Sequence, residues 1–318
     1  MLRSEASLLL LGSTDLTQSV AAAMVDAGVV LAGVMSPPAE FRISYSANAV
    51  RNSRYADMAA WCARSDVPFH VYATPDDIAR FAHDTGAAAA LLAGWYHMVP
   101  APTRALFSRG CVGVHASLLP RYRGGAPLTW AMLNGDPEAG VSLFELTDGV
   151  DDGVLYDQRR FSIGGEDYIG DIVSKAEALT IEMLREVIPA FLSGLARGRP
   201  QQGQPSYSLQ RQPSDGAIDW RRSAVDIARL VRSVSRPYPG AHTTLEGTPL
   251  IIWRARVAAN APPVHGMPGQ IVRLDELPGP AVVTGDGLLV IEEVEGSDGF
   301  NVEAFRRCHQ RRLDLFGA

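Results

Sequence analysis

His115, Asp151 and the two arginines between them, Arg121 and Arg123, are the side chains in this sequence best placed to do chemistry. His115 ends an apolar run that begins at Cys111 and opens a loop dense in Arg, Pro and Gly. A histidine leaving the C-terminal end of a buried strand is how an α/β protein exposes an acid-base group at a sheet edge. Its imidazole can give or take a proton near neutral pH. Downstream, the turn Thr147-Asp148-Gly149-Val150-Asp151-Asp152-Gly153 offers three carboxylates that could orient that imidazole or take up a proton through water. Arg121 and Arg123 carry the donors needed to hold an anionic substrate. Each feature also has a plain structural reading. Packing satisfies many strand-end histidines, Asp and Gly are what a tight turn requires, and loop arginines are commonly solvated.

The elements that must position these groups alternate along the chain. Residues 7–11 read as a strand, ended by the turn Gly12-Ser13-Thr14-Asp15, and 20–27 show helical spacing. That turn lacks G-x-G-x-x-G and reads as a bend lining a cleft, with Gly12 and Thr14 as substrate-side candidates. A strand at 29–35 precedes a polar, aperiodic surface loop at 36–52, where Arg42, Arg51 and the nearby Arg54 could meet an anion. Helix at 53–66, strand at 67–71, helix at 76–85 and strand at 87–93 follow, leading into Gly94-Trp95-Tyr96-His97-Met98-Val99. This alternation predicts a doubly wound, mostly parallel α/β sheet with its cleft at the strand C-termini.

After a strand at 155–163, an amphipathic helix is expected over 168–195, with the stripe running from Ile169 to Phe191 in the core. Residues 197–216 are rich in Pro, Gly and Gln and read as a linker, so the expected domains are 1–200 and 201–318. The second should carry a helix at 224–235 and short strands at 250–257, 269–274, 281–284 and 288–294. Such spacing suggests a smaller β-rich, OB-like domain.

Composition narrows the function. The chain has 318 residues and a formal net charge of −6, which supplies no broad positive field for a nucleic-acid backbone and points to a small-molecule substrate. Lys175 is the sole lysine among 29 basic residues, which excludes a Walker A loop. Cys62, Cys111 and Cys308 are odd in number, widely spaced and without C-x-x-C, against a disulfide framework or a zinc site, so no metal and a reducing cytoplasm are expected. The N-terminal leucine run is too short for a signal-peptide core, and no apolar window reaches membrane-spanning length. Oligomeric state is left open, with a homodimer as one alternative.

The run Val114-His115-Ala116-Ser117-Leu118-Leu119-Pro120-Arg121-Tyr122-Arg123-Gly124-Gly125-Ala126-Pro127, followed by Asn134-Gly135-Asp136, Gly140-Val141 and Val150-Asp151-Asp152-Gly153, closely resembles the formyltransferases that use N10-formyltetrahydrofolate. The likeness extends over the chain: Trp95, Tyr96, His97, Met98 and Val99 look like the family's folate-cleft loop. Ile218-Asp219-Trp220 and Arg236-Pro237-Tyr238-Pro239-Gly240-Ala241 look like the entry to its C-terminal domain. The resemblance implies transfer of a formyl group from N10-formyltetrahydrofolate, as co-substrate, to a primary amine. His115 matches the family histidine and Asp151 the family aspartate, while Asp148 with Asp151 would face the folate and Ser117, Arg121, Tyr122 and Arg123 the acceptor. In that chemistry a neutral amine attacks the formyl carbon, the imidazolium stabilises the developing oxyanion, and the aspartate holds the histidine.

One position departs from the family. Its Asn-x-His is here Gly113-Val114-His115, so the side-chain amide that would donate to the oxyanion is missing. Loss of one such donor typically costs about 100 to 1000-fold in rate. Within the family, the acidic balance and the single lysine look most like enzymes that formylate nucleotide-linked amino sugars. The alternatives are formylation of methionyl-tRNA, which would bring in tRNA as a partner, or of an amine metabolite such as hydroxyornithine. A silent folate- or nucleotide-sugar-binding homologue is a further alternative.

Overall fold

The computed structural model describes residues 7–41, 50–51 and 54–314. They form two compact units: the first holds the described residues up to Gly124, with Ala139–Phe161 and Ser174–Ser208, and the second holds Gly125–Glu138, Ser162–Val173 and the chain from Leu209 onward. The elements begin with β1 (Ser7–Leu11), α1 (Asp15–Asp26), β2 (Val30–Ser36), β3 (Glu40–Phe41), β4 (Val50–Arg51), α2 (Met58–Ser65), β5 (Phe69–Val71) and α3 (Pro75–Thr85). Next come β6 (Ala89–Leu92), α4 (Ala101–Arg104), β7 (Gly110–His115), β8 (Arg123–Gly124), α5 (Pro127–Leu133), β9 (Glu138–Glu145), β10 (Leu155–Ser162), α6 (Ile169–Leu192) and β11 (Tyr207–Ser208). The chain ends with α7 (Ala224–Val234), β12 (Ala241–Leu245), β13 (Thr248–Val257), β14 (Ile271–Val272), β15 (Ala281–Val283), β16 (Leu288–Gly296) and α8 (Val302–Arg306).

The first unit is built on a seven-stranded sheet ordered β10-β9-β7-β6-β1-β2-β5. Strands β5, β2, β1, β6 and β7 are mutually parallel and β9 runs antiparallel to β7. Central strands β1 and β6 are buried at every residue, as the leucine and alanine runs require when helices cover both faces of a sheet. The strand order reverses between β1 and β6, so the crevice of a doubly wound sheet opens beside their C-terminal ends.

Helix α1 begins at Asp15 rather than at residue 20, because Thr14 caps it: the Thr14 hydroxyl accepts from the Thr17 amide, and Thr17 returns the contact. Short apolar runs do not reveal a polar first turn, and the cap residues do. Similarly, Thr74, Pro75 and Asp77 start α3, and Gly86 in the left-handed region ends it. The predicted 36–52 loop pairs Glu40 with Arg51 and Phe41 with Val50 in a two-strand ladder. Arg42 lies outside the described residues. Arg54 is ion-paired with Asp15 at 2.7 Å and with Glu177, so its charge is already matched.

The second unit carries a five-stranded antiparallel sheet ordered β12-β13-β16-β15-β14, with α7 packed on it. Trp220 and Phe305 are fully buried in its core, and Trp220 donates its indole hydrogen to Thr243 at 3.0 Å. Strand β12, which follows directly on Pro239-Gly240, is not among the strands expected from the sequence, and α8 is too short for its periodicity to register. Among the described residues no helix is long and apolar enough to cross a membrane.

Candidate active site

Strand β7 carries His115 to the C-terminal edge of the parallel sheet, where the chain turns into the loop that returns at β8. Two buried serines and a half-buried glutamine shape that loop. Ser142 on β9 donates to the Ser117 carbonyl at 2.7 Å and accepts the Leu119 amide at 3.3 Å, and Gln158 on β10 donates to the Leu119 carbonyl at 2.9 Å. Ser117, 3% exposed, spends its hydroxyl on the Arg121 carbonyl at 2.6 Å. Each contact satisfies a polar group that burial would otherwise leave costly, so the loop is held in one shape.

That shape fixes the imidazole at both ends. His115 Nε2 lies 2.7 Å from the Tyr122 carbonyl, and Nδ1 lies 3.6 Å from Asp151 Oδ2. A carbonyl only accepts, so Nε2 carries a hydrogen and Nδ1 is the nitrogen turned toward the carboxylate. The 3.6 Å separation is an ion-pair contact, longer than a hydrogen bond. Asp151 sits at φ 47°, in the left-handed region, and its Oδ2 accepts the Gly124 amide at 2.8 Å. The two side chains that sequence singled out are thus brought together, with 10% of the His115 side chain and 23% of the Asp151 side chain exposed.

Gly113 lies on the same side of β7 as His115, two residues earlier, and pairs with Phe144 of β9. A Cβ built on Gly113 would come 3.2 Å from Leu146 Cδ1 and 3.3 Å from Phe144 Cε1. Apolar side chains therefore crowd the space that any side chain at position 113 would enter.

The other acid residues of the turn do structural work. Asp152 accepts from the Thr147 hydroxyl, and Asp148, 83% exposed, pairs with Arg104. Arg104 also donates to the Val99 carbonyl at 2.6 Å, tying the loop after β6 to the acidic turn. Arg121 lies over the Tyr122 ring at 5.4 Å, and Arg123 donates to Gln201 Oε1 from both Nε and an Nη. Thr14 is buried in the α1 cap. Gly12 permits a close crossing, because a Cβ there would lie 2.1 Å from the Ala93 carbonyl oxygen.

The loop after β6 builds an aromatic wall at the ends of β2, β5 and β6. His97 lies 4.5 Å from the Tyr72 ring and 5.4 Å from those of Phe41 and Trp95, and Tyr96 lies 5.2 Å from Phe41. Trp95 Nε1 and His97 Nε2 are buried without a hydrogen-bond partner among the described residues. Burial lowers the His97 pKa, keeping that ring neutral. Val99 is buried and Met98 is exposed. Burial also pushes the Cys111 thiol up to about 12, so the sulfur on β7 is no nucleophile. Among the described residues no cluster of three or more His, Cys, Asp or Glu side chains could hold a metal ion.

Sequence reading missed Gln201, Ser206 and Ser208, which lie in the stretch that reads as a linker and bond the loops around His115 and Asp151. It also missed Arg104, Ser142 and Gln158. No motif marks any of them, because their partners are distant in sequence.

Comparison with known proteins identifies the family. Residues 48–188 match the family described as formyl transferase, and residues 211–309 the formyl transferase C-terminal domain. A methionyl-tRNA formyltransferase from Methylococcus capsulatus is 36% identical over 219 residues, covering 67% of this chain and 68% of that protein. A variant of HypX from Aquifex aeolicus superposes with a TM-score of 0.65 at 17% identity, covering 96% of this chain and 47% of that one. The N-formyltransferase from Helicobacter canadensis, solved with folinic acid and dTDP-3-aminofucose, superposes with a TM-score of 0.65 at 15% identity over 91% of this chain and 99% of that one. The chain belongs to the formyltransferase family and is an enzyme that transfers one-carbon formyl groups.

Proposed function

We propose that this chain formylates the primary amine of a nucleotide-linked amino sugar, using His115 and Asp151 as its proton-handling pair. The acceptor class rests on one observation. In the C-terminal unit Arg221, Arg222, Arg229, Arg236, Arg256, Arg306 and Arg311 are each ion-paired with an Asp or Glu. Cations already neutralised release few counterions on meeting a polyanion, which supports a small acceptor over a nucleic acid.

The residues present fit the formyl donor. Trp95 and His97 turn unpartnered ring nitrogens into an aromatic wall, an arrangement suited to a flat heterocycle rich in donors and acceptors. Trp95, Tyr96, His97, Met98 and Val99, with Asp148 and Asp151 across the turn, would hold N10-formyltetrahydrofolate. When bound, that molecule supplies the electrophilic formyl carbon. His115 keeps one hydrogen on Nε2 toward the Tyr122 carbonyl and exchanges the other at Nδ1, where Asp151 faces the charge. Arg121, Tyr122, Arg123 and Ser117 shape the acceptor side, framed by Gly12 and Thr14. With glycine at 113, His115 is the side-chain donor left to face developing negative charge. The three cysteines are free and buried, which supports a reducing cytoplasmic setting.

Methionyl-tRNA is the second reading, supported by the 36% identity to the Methylococcus enzyme. The deciding experiment incubates the protein and N10-formyltetrahydrofolate with dTDP-3-aminofucose, methionyl-tRNA or hydroxyornithine and detects formylated product by mass spectrometry. Product on the nucleotide sugar is expected. Formylation of methionyl-tRNA alone would replace the first reading with the second.

A further inference from the structure

We infer that Gln201 is a positioning residue for formyl transfer and acts through Asp151. Its carboxamide joins two loops at once. Nε2 donates to the Asp151 carbonyl at 2.7 Å and to the Gly153 carbonyl at 2.9 Å, while Oε1 accepts from Arg123 at 2.7 and 3.2 Å. Both amide hydrogens and the oxygen are used, a set of partners that neither a carboxylate nor an ammonium can satisfy.

Asp151 needs such an anchor. Its backbone is at φ 47°, a conformation that side-chain-bearing residues rarely adopt, and its carboxylate direction at His115 follows from that backbone. Gln201 clamps the carbonyls of Asp151 and Gly153, on either side of Asp152, so the turn cannot relax without breaking two hydrogen bonds.

The same segment holds the opposite end of the imidazole. Ser206 Oγ accepts the Tyr122 amide at 2.9 Å and Ser208 Oγ donates to the Tyr122 carbonyl at 3.3 Å, the carbonyl that also takes His115 Nε2. Strand β11 pairs with β8 in register, Tyr207 with Arg123 and Ser208 with Gly124. Residues 201–208, which composition reads as a linker, therefore brace both partners of His115. Gln201 serves the carboxylate side of that brace.

The inference rests on catalysis by His115 and Asp151 and not on which amine is formylated. The test compares Gln201→Leu and the isosteric Gln201→Glu with the wild type, each also in an Asp151→Asn background. Rates are measured with N10-formyltetrahydrofolate and whichever of dTDP-3-aminofucose and methionyl-tRNA the wild type formylates. In parallel, hydrogen exchange followed by mass spectrometry reads the segments around Gly124 and Asp151 without any acceptor. Loss of positioning should lower kcat by about 10 to 100-fold with KM for the folate within about threefold. In the Asp151→Asn background the same change should alter kcat less than about threefold, since a residue acting through Asp151 has nothing left to orient. Exchange should quicken at those two segments while the rest of the chain is unchanged.

A kcat near wild type in both variants, losses that multiply in the double variants, or unaltered exchange would each overturn the assignment. Global unfolding of both variants would do so as well, since it makes Gln201 a stability residue. If the wild type formylates neither amine, the acceptor reading fails and the exchange result alone decides the role of Gln201.

Discussion

Asp151 Oδ2 faces His115 Nδ1 at 3.6 Å while its other contact, the Gly124 amide at 2.8 Å, fixes the carboxylate from the loop that His115 itself opens. The pair is therefore one unit in which the backbone sets the side-chain geometry. Replacing His115 by Ala, or Asp151 by Asn, should lower kcat by about 100 to 10,000-fold with KM for N10-formyltetrahydrofolate changed only a few-fold. Steady-state kinetics with the accepted amine measures this. A His115→Ala enzyme keeping more than about a tenth of the wild-type rate would remove the histidine from the mechanism.

Gly113→Asn tests whether an amide donor two residues before His115 aids the reaction. The added Cβ meets Leu146 at 3.2 Å and Phe144 at 3.3 Å, so both must yield, and overpacking of this kind costs about 1–3 kcal/mol. Thermal unfolding should show that loss, and kcat should rise because an amide would then face the site. Unchanged kcat in a folded variant would mean that the donor is already supplied by another group.

His97 should give the fold a pH-dependent component. Burial depresses its pKa, so as pH drops the unfolded chain takes up the proton before the folded one does. The contribution is complete above the ordinary histidine value of about 6.5 and is lost as pH falls through the lower folded value. His97→Phe should keep the aromatic packing and flatten the fall in thermal midpoint between pH 7.5 and 5. An unchanged slope would place the acid sensitivity elsewhere.

Asp77 supplies an acid limb at lower pH. Amide donors from Thr74 and Ala73, with Arg80 beside it, bring its pKa down to about 2 despite burial. Its stabilisation is present above about 3.9, the ordinary aspartate value, and is lost as pH falls through about 2. Asp77→Ala should cost about 1–3 kcal/mol at pH 7 by uncapping α3, read from denaturant unfolding.

Much of the fold is legible in local patterns. The leucine run of β1 and the alanine-leucine run of β6 announce buried parallel strands, and the stripe of α6 announces a core-facing helix. The stripe is displaced in detail: Thr180 and Ile188 are buried where Leu179 and Val187 are only partly buried. Periodicity fixes a face only to within a fraction of a turn, and neighbouring elements choose the rest.

The sequence by itself determined the chemistry-bearing types and their order: a histidine at a strand end, an Asp-Gly turn after the next strand, and a glycine at 113, two residues before the histidine. Tertiary structure alone decided which imidazole nitrogen faces Asp151, what crowds Gly113, and that residues 201–208 brace the site. The reason is range. Strand and helix periodicities are carried by neighbours a few positions apart, whereas the Arg123–Gln201 contact spans 78 positions and the Gly124–Asp151 contact 27. Such contacts form only when the sheet brings its loops to one edge, and no local pattern records which of them will meet.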